Sequence, residues 1–192
     1  LTWHKLENTH SWAYLKPTQD YFVGSSFKNV SCKKNQSQNF NEKYLEAQRG
    51  FNRYNDDFFR KIKLKYIVLC SELEIAGIPA LGFTNPEMKT LIFNTNTNNS
   101  NFERVLHHEV FHIIEHNFNK YFLNISWSDL NSKEFKYSAC STCSNNYSLE
   151  KIYNSKGFVS EYAKSTISED MAETFSLMMS DNYLILDMIS KD

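Results

Sequence analysis

Apolar positions along the chain fall into a few clear periods. From about Asn41 to Lys65, Tyr44, Ala47, Phe51, Tyr54 and Phe58 recur at steps of three and four, which predicts an amphipathic helix. Tyr66-Ile-Val-Leu-Cys70 is a short apolar run with β-branched residues and reads as a buried strand. Residues 78–83, a Thr-Asn-Pro turn and residues 90–93 then predict a hairpin or paired strands. An Asn/Thr-rich loop starting at Asn94 ends in Ser100 or Asn101, either a good N-cap, and Glu103 three residues after Ser100 fits a capping box. Val105, Leu106, Val110, Phe111, Ile113 and Ile114 supply the apolar stripe of a long helix over about 101–117. Residues 120–165 hold no sustained period and read as loop-rich. A final helix is expected to begin near Ser168 and to carry Met171, Ala172, Phe175, Leu177 and Met178. The first forty residues, rich in aromatic and polar side chains, read as irregular. Without repeats or a linker, the pattern predicts a single α+β domain over residues 1–192.

Composition narrows the class. The 192 residues can bury a core without disulfides or metal to staple it. Lys and Arg number 21 against 22 Asp and Glu, a formal charge of −1, which argues against nucleic acid as a partner. Aromatics at 15% with only 5 Gly and 3 Pro exclude collagen-like, linker-like and disordered chains. No apolar run is long enough to span a membrane, and no signal-peptide core is visible after Leu1. The length suits one compact unit acting as a monomer, with no room for a separate targeting domain. Cys32, Cys70, Cys140 and Cys143 suit disulfides in an oxidising compartment, while free thiols or metal chemistry at the lone Cys140-Ser-Thr-Cys143 remain alternatives. That even count points to a secreted or periplasmic protein, with delivery into a host cell as the other option. Glycosylation sequons at Asn29, Asn35, Asn98, Asn124 and Asn146 carry little weight in so Asn-rich a chain.

Four of the six histidines lie between His107 and His116, inside the long predicted helix. His108-Glu109-Val-Phe-His112 is an HExxH motif. On a helix His108 and His112 share a face one turn apart, so both imidazoles can reach one zinc ion. Glu109, about 100° round the helix, can then take a proton from water and pass it to a leaving amine. His112-Ile-Ile-Glu115-His116 also fits the inverted HxxEH pattern. The metzincin extension is absent, because Glu115 and Phe118 stand where its glycine and third histidine would be. A third ligand is available downstream in Glu169-Asp-Met-Ala-Glu173, where Glu169 and Glu173 share a helical face. Glu173 is placed to accept from a ligating histidine and fix its tautomer. Tyr162, seven residues before Glu169, is either a donor to an oxyanion or a packed core ring.

The series His108-Glu-x-x-His112, Gly157-Phe-Val-Ser-x-Tyr162-Ala and Glu169-Asp-x-Ala-Glu173 resembles the gluzincin metallopeptidases. Among them it is similar to anthrax lethal factor-like catalytic domains and to bacterial zinc-binding metallopeptidases, over roughly residues 100–180. The resemblance implies a zincin-like fold with a small mixed sheet, an active-site helix and a C-terminal ligand helix. It implies one Zn²⁺ held by His108, His112 and Glu169, with Glu109 as general base in hydrolysis of a peptide or protein substrate. It also implies a sheet edge beside the active-site helix, to which an extended substrate adds as a strand. Residues 90–93 or 81–83 are candidates for that edge.

His107 and His116 are expected to be polar bystanders, and Glu115 a carboxylate at the surface or behind a ligand. Asp170 is either a partner behind the site or a charge favoured at a helix N-terminus. Trp127, Phe135 and Tyr137 are expected in the core; Glu161 is expected to be solvated. Two further classes stay open: a catalytically inactive or non-peptidase zincin acting as a binding protein, and an interaction domain with a chance motif.

Overall fold

The computed structural model describes residues 3–6, 12–23, 30–34, 40–97, 99–122, 126–143 and 157–191. Within them the chain runs β1 (Trp3–Leu6), β2 (Ala13–Pro17), β3 (Tyr21–Val23), β4 (Val30–Cys32), α1 (Phe40–Phe51), α2 (Asp56–Lys61), β5 (Tyr66–Cys70) and β6 (Leu73–Ile75). It continues through β7 (Ile78–Pro79), β8 (Gly82–Asn85), β9 (Thr90–Asn94), α3 (Asn99–Asn117), α4 (Asn119–Phe122), α5 (Ile167–Ser180) and α6 (Asn182–Lys191). Short 3₁₀ turns cover Trp127–Leu130 and Tyr162–Lys164. The α+β class expected from the pattern is the observed one.

The larger sheet has the order β1-β2-β5-β9-β8. Its three central strands are parallel, and β1 and β8 pair antiparallel at the two edges. The connection from β2 to β5 passes through α1 and α2, as a parallel pairing requires of its crossover. Phe51, Phe59, Leu91, Phe93, Phe102, Leu106 and Ile113 are fully buried where α1, α2 and α3 cover this sheet. Each such side chain contributes about 1.5–3 kcal/mol relative to exposure. The smaller sheet, β3-β4-β6-β7, is antiparallel throughout. Its β6–β7 turn is Ala76-Gly77, both at positive φ (52° and 79°), the backbone that a tight two-residue hairpin needs. Tyr21, Val30, Cys32, Val68, Cys70, Leu73 and Ile92 form a second apolar cluster, and the Cys32–Cys70 disulfide ties β4 to the end of β5. Cys140 and Cys143 form the other disulfide, so no cysteine is free and the thiol and metal alternatives are overturned.

Several expectations are corrected. The first forty residues hold four strands, because Trp12, Ala13 and Tyr14 are buried in succession and leave no alternation to read. The helix expected over 41–65 is two helices. It breaks at residues 52–55, where the Asn55 side chain accepts from the Phe58 N–H (2.8 Å) and starts α2 afresh. Residues 78–83 divide between the sheets, β7 joining β6 and β8 joining β9. Helix α3 starts at Asn99, so Ser100 and Asn101 lie within its first turn, and Glu103 pairs instead with Arg53 (2.7 Å). The helix expected near Ser168 is α5 and carries all five of its named residues, with Thr166 accepting from the Glu169 N–H (3.2 Å) as its cap, but it is not the last: α6 follows, where Asp181 accepts from the Leu184 N–H. The five sequon asparagines and Leu1 lie outside the described residues. Among the described residues no helix is long and apolar enough to cross a membrane.

Candidate metal centre

Helix α3 turns its apolar stripe to the sheet, and α5 crosses its other side; between them the polar residues of both helices meet. His108 and His112 face each other with their Nε2 atoms 3.0 Å apart. Glu169, in the first turn of α5, brings Oε2 to 3.0 Å from His108 Nε2 and 3.3 Å from His112 Nε2. The three ligand atoms lie within 4.8 Å of one another. Glu169 Oε2 is buried and makes no well-aligned hydrogen bond to either ring. Two imidazole nitrogens and a carboxylate oxygen, one of them a buried oxygen with no hydrogen bond, converge on one point and suit zinc, which favours nitrogen and oxygen donors in a tetrahedral set. The residues fit the ion.

Behind His108, its Nδ1 lies 2.8 Å from Glu173 Oε1. Glu173, 1% exposed, accepts from Arg104 (2.6 Å) and Ser160 (2.6 Å) on its other oxygen. Burial alone would raise this carboxyl, but His108, Arg104 and Ser160 outweigh it and hold the group below its ordinary value, ionised. Ser160 also accepts from the Ala163 N–H (3.1 Å), tying the Tyr162–Lys164 turn to the same carboxylate. His112 is backed differently. Its Nδ1 lies 3.4 Å from Ser168 Oγ and 3.6 Å from Glu115 Oε2, and Ser168 donates to Glu115 (2.5 Å). Burial opposes protonation of His112, yet Glu115 and Glu169 raise it to about 9. Protons therefore compete with a metal for this site.

Tyr162 sets its ring centroid 6.0 Å from that of His108. Glu169 and Ser141, the latter within the Cys140–Cys143 loop, lie near its hydroxyl. Burial, then the Glu169 charge, push the phenol far above its usual range, so it stays a donor. The ring is half-buried beside the cluster. Glu109 lies against β8, where Thr84 Oγ1 is 2.7 Å from its Oε2.

The remaining candidates sort clearly. His107 is buried on the far side of α3, its Nδ1 2.6 Å from the Tyr54 hydroxyl, and His116 is exposed in the last turn. Neither joins the cluster, which removes the inverted motif as a ligand set. Asp170 is buried and accepts from Trp127 (2.8 Å) and Tyr137 (2.6 Å), so it fastens the loop over α5 rather than serving only the helix dipole. Trp127 and Tyr137 are accordingly anchors rather than plain core, whereas Phe135 packs on Phe158 (4.5 Å between centroids). Glu161 pairs with Lys164 (2.8 Å). Arg104, Ser160, Ser168, Thr84 and Gly82 escape the spacing argument. Of these only Arg104, four residues before His108 and so on the same helix face, carries a signal in the sequence.

Two histidines one turn apart and a glutamate from a second helix, backed by carboxylates held ionised, form a cluster that could hold a metal ion. The family model described as "Putative zinc-binding metallo-peptidase" matches residues 42–191, and the chain belongs to that family. No curated protein and no solved structure matches the chain.

Proposed function

We propose that the protein is a zinc-dependent endopeptidase of the gluzincin type. The observation that carries this reading is the convergence of His108 Nε2, His112 Nε2 and Glu169 Oε2 beside Glu109 on an HExxH helix. A zinc ion held there supplies Lewis acidity toward a peptide carbonyl and toward water. Glu109 takes the proton of the attacking water and delivers it to the departing amine nitrogen. Tyr162, kept protonated, donates to the oxygen that becomes negative as the carbonyl is attacked. Glu173 orients the His108 ring, and Ser168 with Glu115 does so for His112. Strand β8, packed beside α3 and at the edge of the larger sheet among the described residues, offers its outer side to an extended peptide; β9, being internal, does not. The two disulfides support a secreted or periplasmic location.

Glu109→Gln tests the assignment. The variant should keep one zinc per chain and lose nearly all cleavage of a peptide library. Wild-type cutting by that variant would remove Glu109 as the base. Zinc bound by a wild-type protein that cuts nothing would favour a non-catalytic binding protein.

A further inference from the structure

The general base is held from outside its own helix. Thr84 Oγ1 lies 2.7 Å from Glu109 Oε2 and 2.8 Å from the Glu109 main-chain oxygen, so one hydroxyl addresses the residue at both ends. Two residues earlier on the same face of β8, Gly82 leaves open the space the carboxylate occupies. A Cβ at position 82 would stand 2.6 Å from Glu109 Cγ, 2.8 Å from its Oε1 and 2.9 Å from Val105 Cγ1. Gly82 is therefore required by close approach. Phe83, between them, turns to the opposite face and packs on the second apolar cluster. This 2-residue alternation is the strand period, and it presents a gap and a donor to α3 in sequence.

We propose that Thr84 is the positioning residue of the base and that Gly82 is its seat, so that the edge strand sets where the Glu109 carboxylate points. The proposal rests on the peptidase reading for its catalytic meaning, but not for the contact itself. A flexible glutamate has several rotamers, and a base acts only when its oxygen is within hydrogen-bond reach of the proton it takes. The Thr84 hydroxyl, its one proton shared between Oε2 and the Glu109 main-chain oxygen, and the missing Cβ that accommodates Oε1 together select one rotamer. Because the donor belongs to β8 rather than to α3, pairing of an extended peptide with that strand steadies the element that holds the base.

The test uses Thr84→Val, which keeps the shape and removes the donor, and Thr84→Ser, which restores it. Thr84→Val should bind one zinc, keep KM within about twofold and lose roughly 10–100-fold in kcat, the worth of a hydrogen bond to a charged group. Thr84→Ser should recover most of that loss. Gly82→Ala should also lower kcat while zinc is retained. Unchanged kcat in Thr84→Val, or equal loss in the Ser and Val variants, would overturn the proposal. Thermal midpoints of Thr84→Val, Glu109→Met and the double variant supply a second readout that needs no activity. The proposal expects non-additive losses, and additive ones would sink it. If wild-type protein cuts no peptide while the cycle is non-additive, the peptidase reading fails and the Thr84–Glu109 contact stands.

Discussion

Glu173 joins the stability of the fold to the metal site, and replacing it separates the two. Its carboxylate faces three donors: His108 Nδ1 at 2.8 Å, and Arg104 and Ser160 at 2.6 Å each. Glutamine keeps one accepting oxygen and presents an NH₂ to at least one of those donors. It also removes the charge that Glu173 sets against the guanidinium of Arg104, 6% exposed. Removing one member of such a buried pair costs about 3–5 kcal/mol. Loss of the partner that orients a ligating imidazole costs about 10–100-fold in metal affinity, roughly 1.4–2.7 kcal/mol.

These two effects have different causes, so a second variant pulls them apart. Arg104→Met with Glu173→Met removes both charges and refills the space with apolar atoms, which for buried pairs is often neutral in stability. His108 Nδ1 still lacks its acceptor. Denaturant unfolding of the zinc-free chains should therefore show a large loss in Glu173→Gln and a much smaller one in the double variant. Zinc competition against a chromophoric chelator should show the weakened affinity in both. If the double variant regained wild-type affinity together with stability, the orienting role of Glu173 would be refuted and the effect assigned to the fold alone. Unchanged affinity in Glu173→Gln would refute it directly.

Other consequences are simpler to state. Tyr162→Phe should keep its zinc and lose on the order of 100-fold in kcat, as removal of one oxyanion donor does; an unchanged rate would remove Tyr162 from the reaction. Burial, partly offset by Glu103, lowers His107 to about 4 from an ordinary 6.5. The unfolded chain then binds the proton first on acidification, so stability complete above about pH 6.5 falls by roughly 3 kcal/mol between there and pH 4. His107→Gln should flatten that decline, measured by urea unfolding across the range, and an equally steep decline would disprove its origin. Asp170→Ala leaves the Trp127 and Tyr137 donors unmatched and should cost about 2–4 kcal/mol, with faster proteolysis within residues 126–143. Unaltered cutting there would mean that Asp170 does not fasten the loop.

The legible and illegible parts of this molecule divide by how far apart in sequence the interacting residues lie. Helix geometry is local, so the spacing of His108 and His112, or of Glu169 and Glu173, already states which side chains share a face. Both helices were readable for that reason, and the HExxH spacing locates the cluster before any fold is known. The strands of the first forty residues are not readable in the same way. β2 pairs in parallel with β5, about fifty residues on, and its successive buried residues Trp12, Ala13 and Tyr14 mask the strand period. Pairing of Cys32 with Cys70 likewise follows from the meeting of β4, β5 and β6, and no count of cysteines selects it. Gly82 and Thr84 meet Glu109 only because β8 turns back beside α3, so an ordinary-looking strand conceals them. Arg104 is intermediate between these cases. An arginine four residues before His108 shares that histidine's face of the helix, so the spacing places a cation beside the cluster, and its burial (6% exposed) calls for an anionic partner. Which carboxylate it is depends on α5 crossing α3, and there it is Glu173, already bound to the ligand histidine. The buried arginine thus leads to the same centre as the histidines do, because one carboxylate of α5 serves both.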